Sequence, residues 1–111
     1  MLTGTAQMVV GAVGVAKDEG VLWFGTQADQ AQLAPSIVVA SQVYHWEVVV
    51  QQIIDLLNQG TMGGESFSVD LANGGEVISY NPDYALPAEV KQLAEDTIKG
   101  IADGSINPPR P

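Results

Sequence analysis

Gly20-Val21-Leu22-Trp23-Phe24-Gly25-Thr26-Gln27-Ala28-Asp29-Gln30 is the stretch that decides the fold. Its first part, residues 21–24, is a short apolar run held between Gly20 and Gly25. Apolar side chains on both faces predict a strand buried on both sides, as in a parallel sheet. Trp23 and Phe24 are therefore expected in the core. The second part is polar and lies where that strand ends. In open α/β sheets, ligands bind outside the carboxyl ends of the strands. Residues 26–30 are thus a candidate binding loop.

Upstream, Val9, Val10, Val13 and Ala16 recur at helical spacing and predict a helix over residues 6–17. Lys17-Asp18-Glu19 is its solvated end, and Gly20 suits the positive φ of a helix terminus. The residues before Thr3 read as the end of a preceding strand. Downstream, Pro35-Ser36 introduces residues 37–40 as the next parallel strand. Residues 45–58 read as a helix. Its broad apolar face is Trp46, Val49, Val50, Ile53, Leu56 and Leu57, and Gly60 closes it.

The pattern then changes. Residues 66–71 alternate polar and apolar, as a half-exposed strand does. Asn73-Gly74-Gly75 is a turn signal, residues 76–80 are the return strand, and Asn81-Pro82-Asp83 ends the hairpin. Pro87 suits the first position of a last helix, and Glu89 favours its positive end. Val90, Leu93, Ala94, Thr97, Ile98 and Ile101 share one face. Gly100 or Gly104 ends this helix, and Pro108-Pro109 cannot continue it. The order predicts an α/β fold: a parallel sheet flanked by helices, plus a C-terminal hairpin and helix. Three loops lie at strand ends: Thr3-Gly4-Thr5, residues 26–30, and Ser41-Gln42-Val43-Tyr44.

Composition narrows the function. The 111 residues are 46% apolar, enough for one small core. Four basic residues face thirteen acidic ones, a net charge of −9. Phosphate backbones need clustered lysine and arginine, so no nucleic-acid partner is expected. An anionic membrane surface is disfavoured for the same reason. The absence of cysteine excludes disulfides, thiolate metal sites and cysteine nucleophiles. No apolar run approaches the roughly 20 residues that span a bilayer. Met1-Leu2-Thr3-Gly4 shows no leader and no lipid-attachment cysteine, so the chain as written is expected to stay where it is made.

Catalytic chemistry is not expected. The single histidine, His45, lies two residues before Glu47, and such positions do not share a helix face. One histidine without cysteine makes no zinc site. Ser41 lacks the glycine-flanked turn of a hydrolase nucleophile, and the glycine stretches lack a Gly-Lys-Ser/Thr ending. No cofactor is implied. Asp29 fits a turn or cap. Gln27 and Tyr44 are the candidates for the cleft. Trp46 has core packing and ligand stacking as competing roles.

The order of these pieces resembles the basic membrane protein family, the substrate-binding components of ABC transporters, many of which bind purine nucleosides. The likeness runs through the Gly-Thr loop at Gly4-Thr5, Ala16-Lys17 before Gly20-Val21, and Phe24-Gly25 followed by Asp29-Gln30. It continues through Leu33-Ala34-Pro35, Val39-Ala40-Ser41, Asn58-Gln59-Gly60-Thr61 with Gly63-Gly64, and Leu86-Pro87-Ala88-Glu89-Val90. The resemblance covers nearly the whole chain.

It implies a partial type I periplasmic-binding-protein lobe. Residues 1–64 would be second-lobe βα units, 65–85 a hinge and hairpin region, and 86–111 the C-terminal helix and tail. The first lobe would be missing, Met1 being an artificial boundary, a truncated reading of the gene or an internal start. The full-length parent would be extracytoplasmic, periplasmic or a lipid-anchored lipoprotein. It would bind a purine nucleobase or nucleoside between two lobes and pass it to a permease.

The candidate ligand-binding residues are Gly4, Thr5, Gln27, Tyr44 and Trp46; of these, Gln27 and Tyr44 stand where the resemblance puts the family's ligand positions. Two positions depart from the family. Nucleoside binders carry Gly-x-Asp-x-Asp, whose first Asp grips ribose; here that position is Gln27. They also place a lysine where Tyr44 stands. A neutral amide makes weaker hydrogen bonds than a carboxylate, but it offers both a donor and an acceptor to a base edge. The replacements favour a nucleobase. The alternative is a small acidic α/β interaction domain that acts alone, without catalysis. An unpaired sheet edge would then invite dimerisation of the fragment.

Overall fold

The computed structural model describes residues 6–108. Its elements are α1 (Ala6–Asp18), β1 (Trp23–Gly25), a 3-10 turn (Ala31–Leu33), β2 (Val38–Tyr44), α2 (Glu47–Asn58), β3 (Glu76–Tyr80) and α3 (Ala88–Ala102). The fold is α/β, as the sequence predicts. The strand expected before Thr3 lies outside the described residues.

α1 ends at Gly20 with φ 64°. Val21 N–H then reaches Ala16 O (2.8 Å) and Gly20 N–H reaches Lys17 O (3.2 Å). This is the double bond pattern that a left-handed glycine permits at a helix terminus. Gly60 closes α2 in the same way, with φ 84°, Thr61 N–H to Leu56 O (2.9 Å) and Gly60 N–H to Leu57 O (3.0 Å). In α3 the terminating glycine is Gly104, with φ 80°. Gly100 is buried inside that helix, where Ile106 folds back and donates its N–H to Gly100 O (2.8 Å).

The sheet order is β1-β2-β3. β1 and β2 pair in parallel, with Trp23 opposite Val38 and Gly25 opposite Ser41. β3 behaves differently from expectation. Asn81 N–H bonds Val39 O (3.1 Å) and His45 N–H bonds Gly75 O (2.8 Å). One number rises as the other falls, so β3 runs antiparallel to β2 and the sheet is mixed.

The predicted hairpin partner, residues 66–71, is not a strand. Local side-chain bonds outcompete a ladder there. The Asn73 amide donates to Ser68 O (2.9 Å) and its oxygen accepts from Gly75 N–H (2.8 Å). Asp70 Oδ1 accepts from Asn73 N–H (2.9 Å), which winds the segment into a turn. One hairpin bond persists, Glu76 N–H to Asp70 O (3.0 Å).

Two compact units divide the chain, which passes between them at 43/44, 77/78 and 88/89. The first unit runs up to Val43 and includes Ile78–Ala88. Its core joins Val9, Val13 and Ala16 of α1 to Trp23, Ala34, Ile37 and Val38. Trp23 is fully buried. Phe24 is not the core residue expected, because it points to the other face of β1 and is 37% exposed.

The second unit comprises Tyr44–Val77 and the residues from Glu89. Its helix α2 has no buried residue. The inward side is Val48, Val49, Gln52 and Leu56, all half-buried. The inner face is thus rotated away from the one the apolar pattern predicts.

Among the described residues, no helix is long and apolar enough to cross a membrane, and no group of three or more acidic or histidine side chains is placed to hold a metal ion.

Candidate functional site

The loop after β1 is built on a buried polar frame in the first unit. The indole Nε1–H of Trp23 donates to Gln30 Oε1 at 2.8 Å. Gln30 N–H donates to Ser41 Oγ (3.0 Å), and its amide nitrogen donates back to Thr26 O (2.9 Å). Gln30 and Ser41 are both buried, so these bonds satisfy groups that would be costly to strand away from water.

Gly25 is required by close approach. A Cβ there would stand 2.5 Å from Ser41 Oγ and 3.0 Å from Gln30 Cδ. Asp29 caps the following turn, as expected, accepting from Ala31 N–H (2.9 Å). Its other carboxylate oxygen accepts from Ser79 Oγ–H (2.7 Å).

Between these fixed points the loop carries Gln27 at φ 74°, the one positive-φ residue other than glycine among the described residues. Left-handed backbone costs an ordinary L-residue roughly 1–2 kcal/mol, so the frame holds Gln27 against its preference. Its side chain is exposed and has no hydrogen-bond partner among the described residues. It lines a cleft of about 220 Å³ with Val9, Val10, Thr26, Ala28, Gln30 and Leu33. The walls are largely apolar. Since Gln30 is committed to Trp23 and Thr26, Gln27 presents the open amide.

Tyr44 and Trp46 belong to the second unit. Their ring centroids are 5.5 Å apart and tilted at 51°, within the range of favourable aromatic pairs. Trp46 is 59% exposed, so core packing is not its role here. Gly4 and Thr5, with Thr3, lie outside the described residues.

Sequence reasoning put Gln30 and Ser41 in candidate loops but missed that they bond each other and that Ser79 reaches Asp29, contacts across separations that leave no periodic signal. It also misjudged His45 and Glu47. They do meet, with His45 Nδ1 2.7 Å from Glu47 Oε1, because His45 precedes α2 and escapes the helical spacing rule.

The Glu47 carboxyl is held below the usual carboxylate range, first by its own backbone N–H and then by the His45 side chain. A lowered carboxylate pKa adds stability that is present above the unfolded value and is lost as pH falls through the folded one. The Glu47 pKa is expected to rise in His45→Ala, though not fully, because the backbone bond remains. NMR titration of the Glu47 side chain measures this; no change removes His45 as a contributor.

No protein-family model matches the chain. It is 28% identical over 97 residues to a purine-binding protein of Brucella abortus (strain 2308), a match covering 87% of this chain and 27% of that protein. Its fold resembles the crystal structure of a transcriptional activator of the comK gene from Bacillus halodurans, with a TM-score of 0.73 and 22% identity. That likeness covers 91% of this chain and 35% of the other, and it bears on fold alone. The chain is therefore similar to about a quarter of a purine-binding protein and to about a third of a solved chain.

Proposed function

We propose that the chain is part of a solute receptor of the basic membrane protein type, the substrate-binding component of an ABC importer. In this reading it binds a purine nucleobase or nucleoside between two lobes and releases it unchanged. The whole receptor works outside the cytoplasm, free in the periplasm or as a lipoprotein, and delivers its ligand to a permease.

The observation that carries the reading is the open Gln27 amide, held on left-handed backbone beside an apolar cleft. A flat heterocycle needs apolar walls and a few fixed polar groups. The match to a purine-binding protein supports the ligand class. At about 220 Å³ the cleft is smaller than the roughly 300–1,000 Å³ of complete ligand pockets. This supports a partial enclosure that other polypeptide completes.

Calorimetric titration against purine bases and nucleosides, on this chain and on a longer parent, tests the reading. A response to neither class in the parent would sink it. Two substitutions separate the side chain from the backbone. Gln27→Gly suits φ 74° and is expected to keep the melting temperature while weakening base binding by about tenfold, the loss of roughly one good hydrogen bond. Gln27→Asp is expected to shift preference from base towards nucleoside, because a carboxylate accepts strongly from ribose hydroxyls. An unchanged preference would remove Gln27 from the site.

A further inference from the structure

The turn over residues 71–74 contains Asn73-Gly74, both exposed to water. An asparagine cyclises when the backbone nitrogen of the next residue attacks its side-chain amide carbon. The sequence holds four asparagines: Asn58, Asn73, Asn81 and Asn107. Asn81 and Asn107 precede Pro82 and Pro108, whose nitrogens carry no proton to lose. Asn58 precedes Gln59, whose N–H is spent on Asp55 O (3.2 Å) and Leu56 O (3.1 Å). Gly74 N–H, by contrast, has no hydrogen-bond partner among the described residues. Nor has Gly74 a Cβ to shield that nitrogen.

The turn also prepares the amide. Gly75 N–H donates to Asn73 Oδ1 (2.8 Å) and folds the side chain back over its own backbone. Asp70 N–H donates to the same oxygen (3.2 Å). Two backbone donors thus converge on the oxygen that gains negative charge when the amide carbon is attacked. That is the arrangement that stabilises tetrahedral intermediates. The amide nitrogen, which is the leaving group, donates to Ser68 O (2.9 Å). Asp70 Oδ1 accepts from Asn73 N–H (2.9 Å) and fixes the backbone. Holding nucleophile and amide in one geometry removes the search that an open chain must make.

We propose that Asn73 is a self-modification site, converted to aspartate and isoaspartate by the turn that holds it. Gly74 nitrogen loses its proton to water and bonds to Asn73 Cγ. The Cγ–Nδ2 bond breaks, and Nδ2 takes up a proton and leaves as ammonia. Water then opens the five-membered imide at either carbonyl. One water is consumed, one ammonia is released, and nothing is oxidised or reduced.

The product has no donor for Ser68 O and sets a second carboxylate beside that of Asp70. Isoaspartate also lengthens the main chain by one methylene just before β3. There Glu76 N–H bonds Asp70 O (3.0 Å) and Gly75 O accepts from His45 N–H (2.8 Å). Conversion therefore loosens the entry to β3 as the chain ages.

The test incubates the whole chain in mildly alkaline buffer, with and without denaturing guanidinium, and maps its peptides by mass spectrometry. Isoaspartate is counted by enzymatic methyl transfer to its carboxyl group. The folded chain is expected to convert Asn73 at least about tenfold faster than the unfolded chain, a part of the roughly 10²–10³ that one well-placed donor supplies. Asn58, Asn81 and Asn107 should remain amides over the same period. Asp70→Ala loosens the turn and should bring the folded rate down towards the unfolded one. Asn73→Gln would need a larger ring and should stay unmodified. Amide exchange at Glu76 should quicken in the converted chain.

Equal or slower conversion in the folded chain overturns the proposal, because the hydrogen bonds would then act as a restraint. An Asp70→Ala chain that keeps its circular dichroism and reacts as fast as the parent overturns it too. The inference stands apart from the proposed function, and neither result bears on ligand binding.

Discussion

Trp23→Ala is expected to lower the free energy of unfolding by about 3–5 kcal/mol, the range for removing a large aromatic side chain from a packed core. Trp23 is fully buried among α1, the 3-10 turn region and β2. Its loss opens a cavity and also strands Gln30 Oε1, which accepts the indole N–H at 2.8 Å. Trp23→Phe separates the two effects. It keeps most of the apolar contact and removes only the donor, so the loss should be about 1–3 kcal/mol, that of one unsatisfied buried acceptor. Urea unfolding midpoints measure both. Equal losses would assign the site's stability to the hydrogen bond rather than to packing, and a loss below about 1 kcal/mol in Trp23→Ala would contradict the core described here.

The second large effect is expected at Asn81, a buried polar residue just after β3. Its amide nitrogen donates to Pro35 O (2.8 Å) and to Val38 O (2.6 Å), and its oxygen accepts from Asp83 N–H (3.0 Å). One side chain thus fastens the returning chain to β2 and to the turn before it. Asn81→Ala leaves these groups without that partner, at about 1–3 kcal/mol for each one kept from water. Asn81→Asp keeps the acceptor but has no donor and sets a carboxylate against two carbonyls. It should be no less damaging than alanine. A thermal midpoint for Asn81→Asp equal to that of the parent would show that water replaces the amide.

The α/β class, the helices and the parallel β1–β2 pair were legible because they depend on local pattern. Spaced apolar residues, a glycine at each helix end and a two-sided apolar strand need no knowledge of distant partners. Topology made the loop after β1 a candidate site, and the structure shows a framed loop there. What escaped the sequence depends on contacts between remote residues. Gln30 looked like one more loop amide, yet it is the centre of a frame reaching Trp23 and Ser41. The alternation at residues 66–71 reads as a strand, but Asn73 and Asp70 spend their side chains on a turn and leave β3 to pair with β2. The apolar face of α2 was visible as a pattern. Which side of the helix turned inward was not, because Val48 and Gln52, half-buried, lie off that stripe.

The left-handed backbone at Gln27 also constrains how this loop could have diversified. Such a φ is readily occupied by glycine, asparagine or aspartate, and β-branched or bulky residues are outliers there. The repertoire open to selection at this position is therefore short. It nevertheless includes a charged, a neutral and an empty head on the same spine. A lineage could exchange one recognition chemistry for another there without rebuilding Gly25, Gln30 or Ser41 around it. The mount is set by the frame, and the fitting it carries is replaceable.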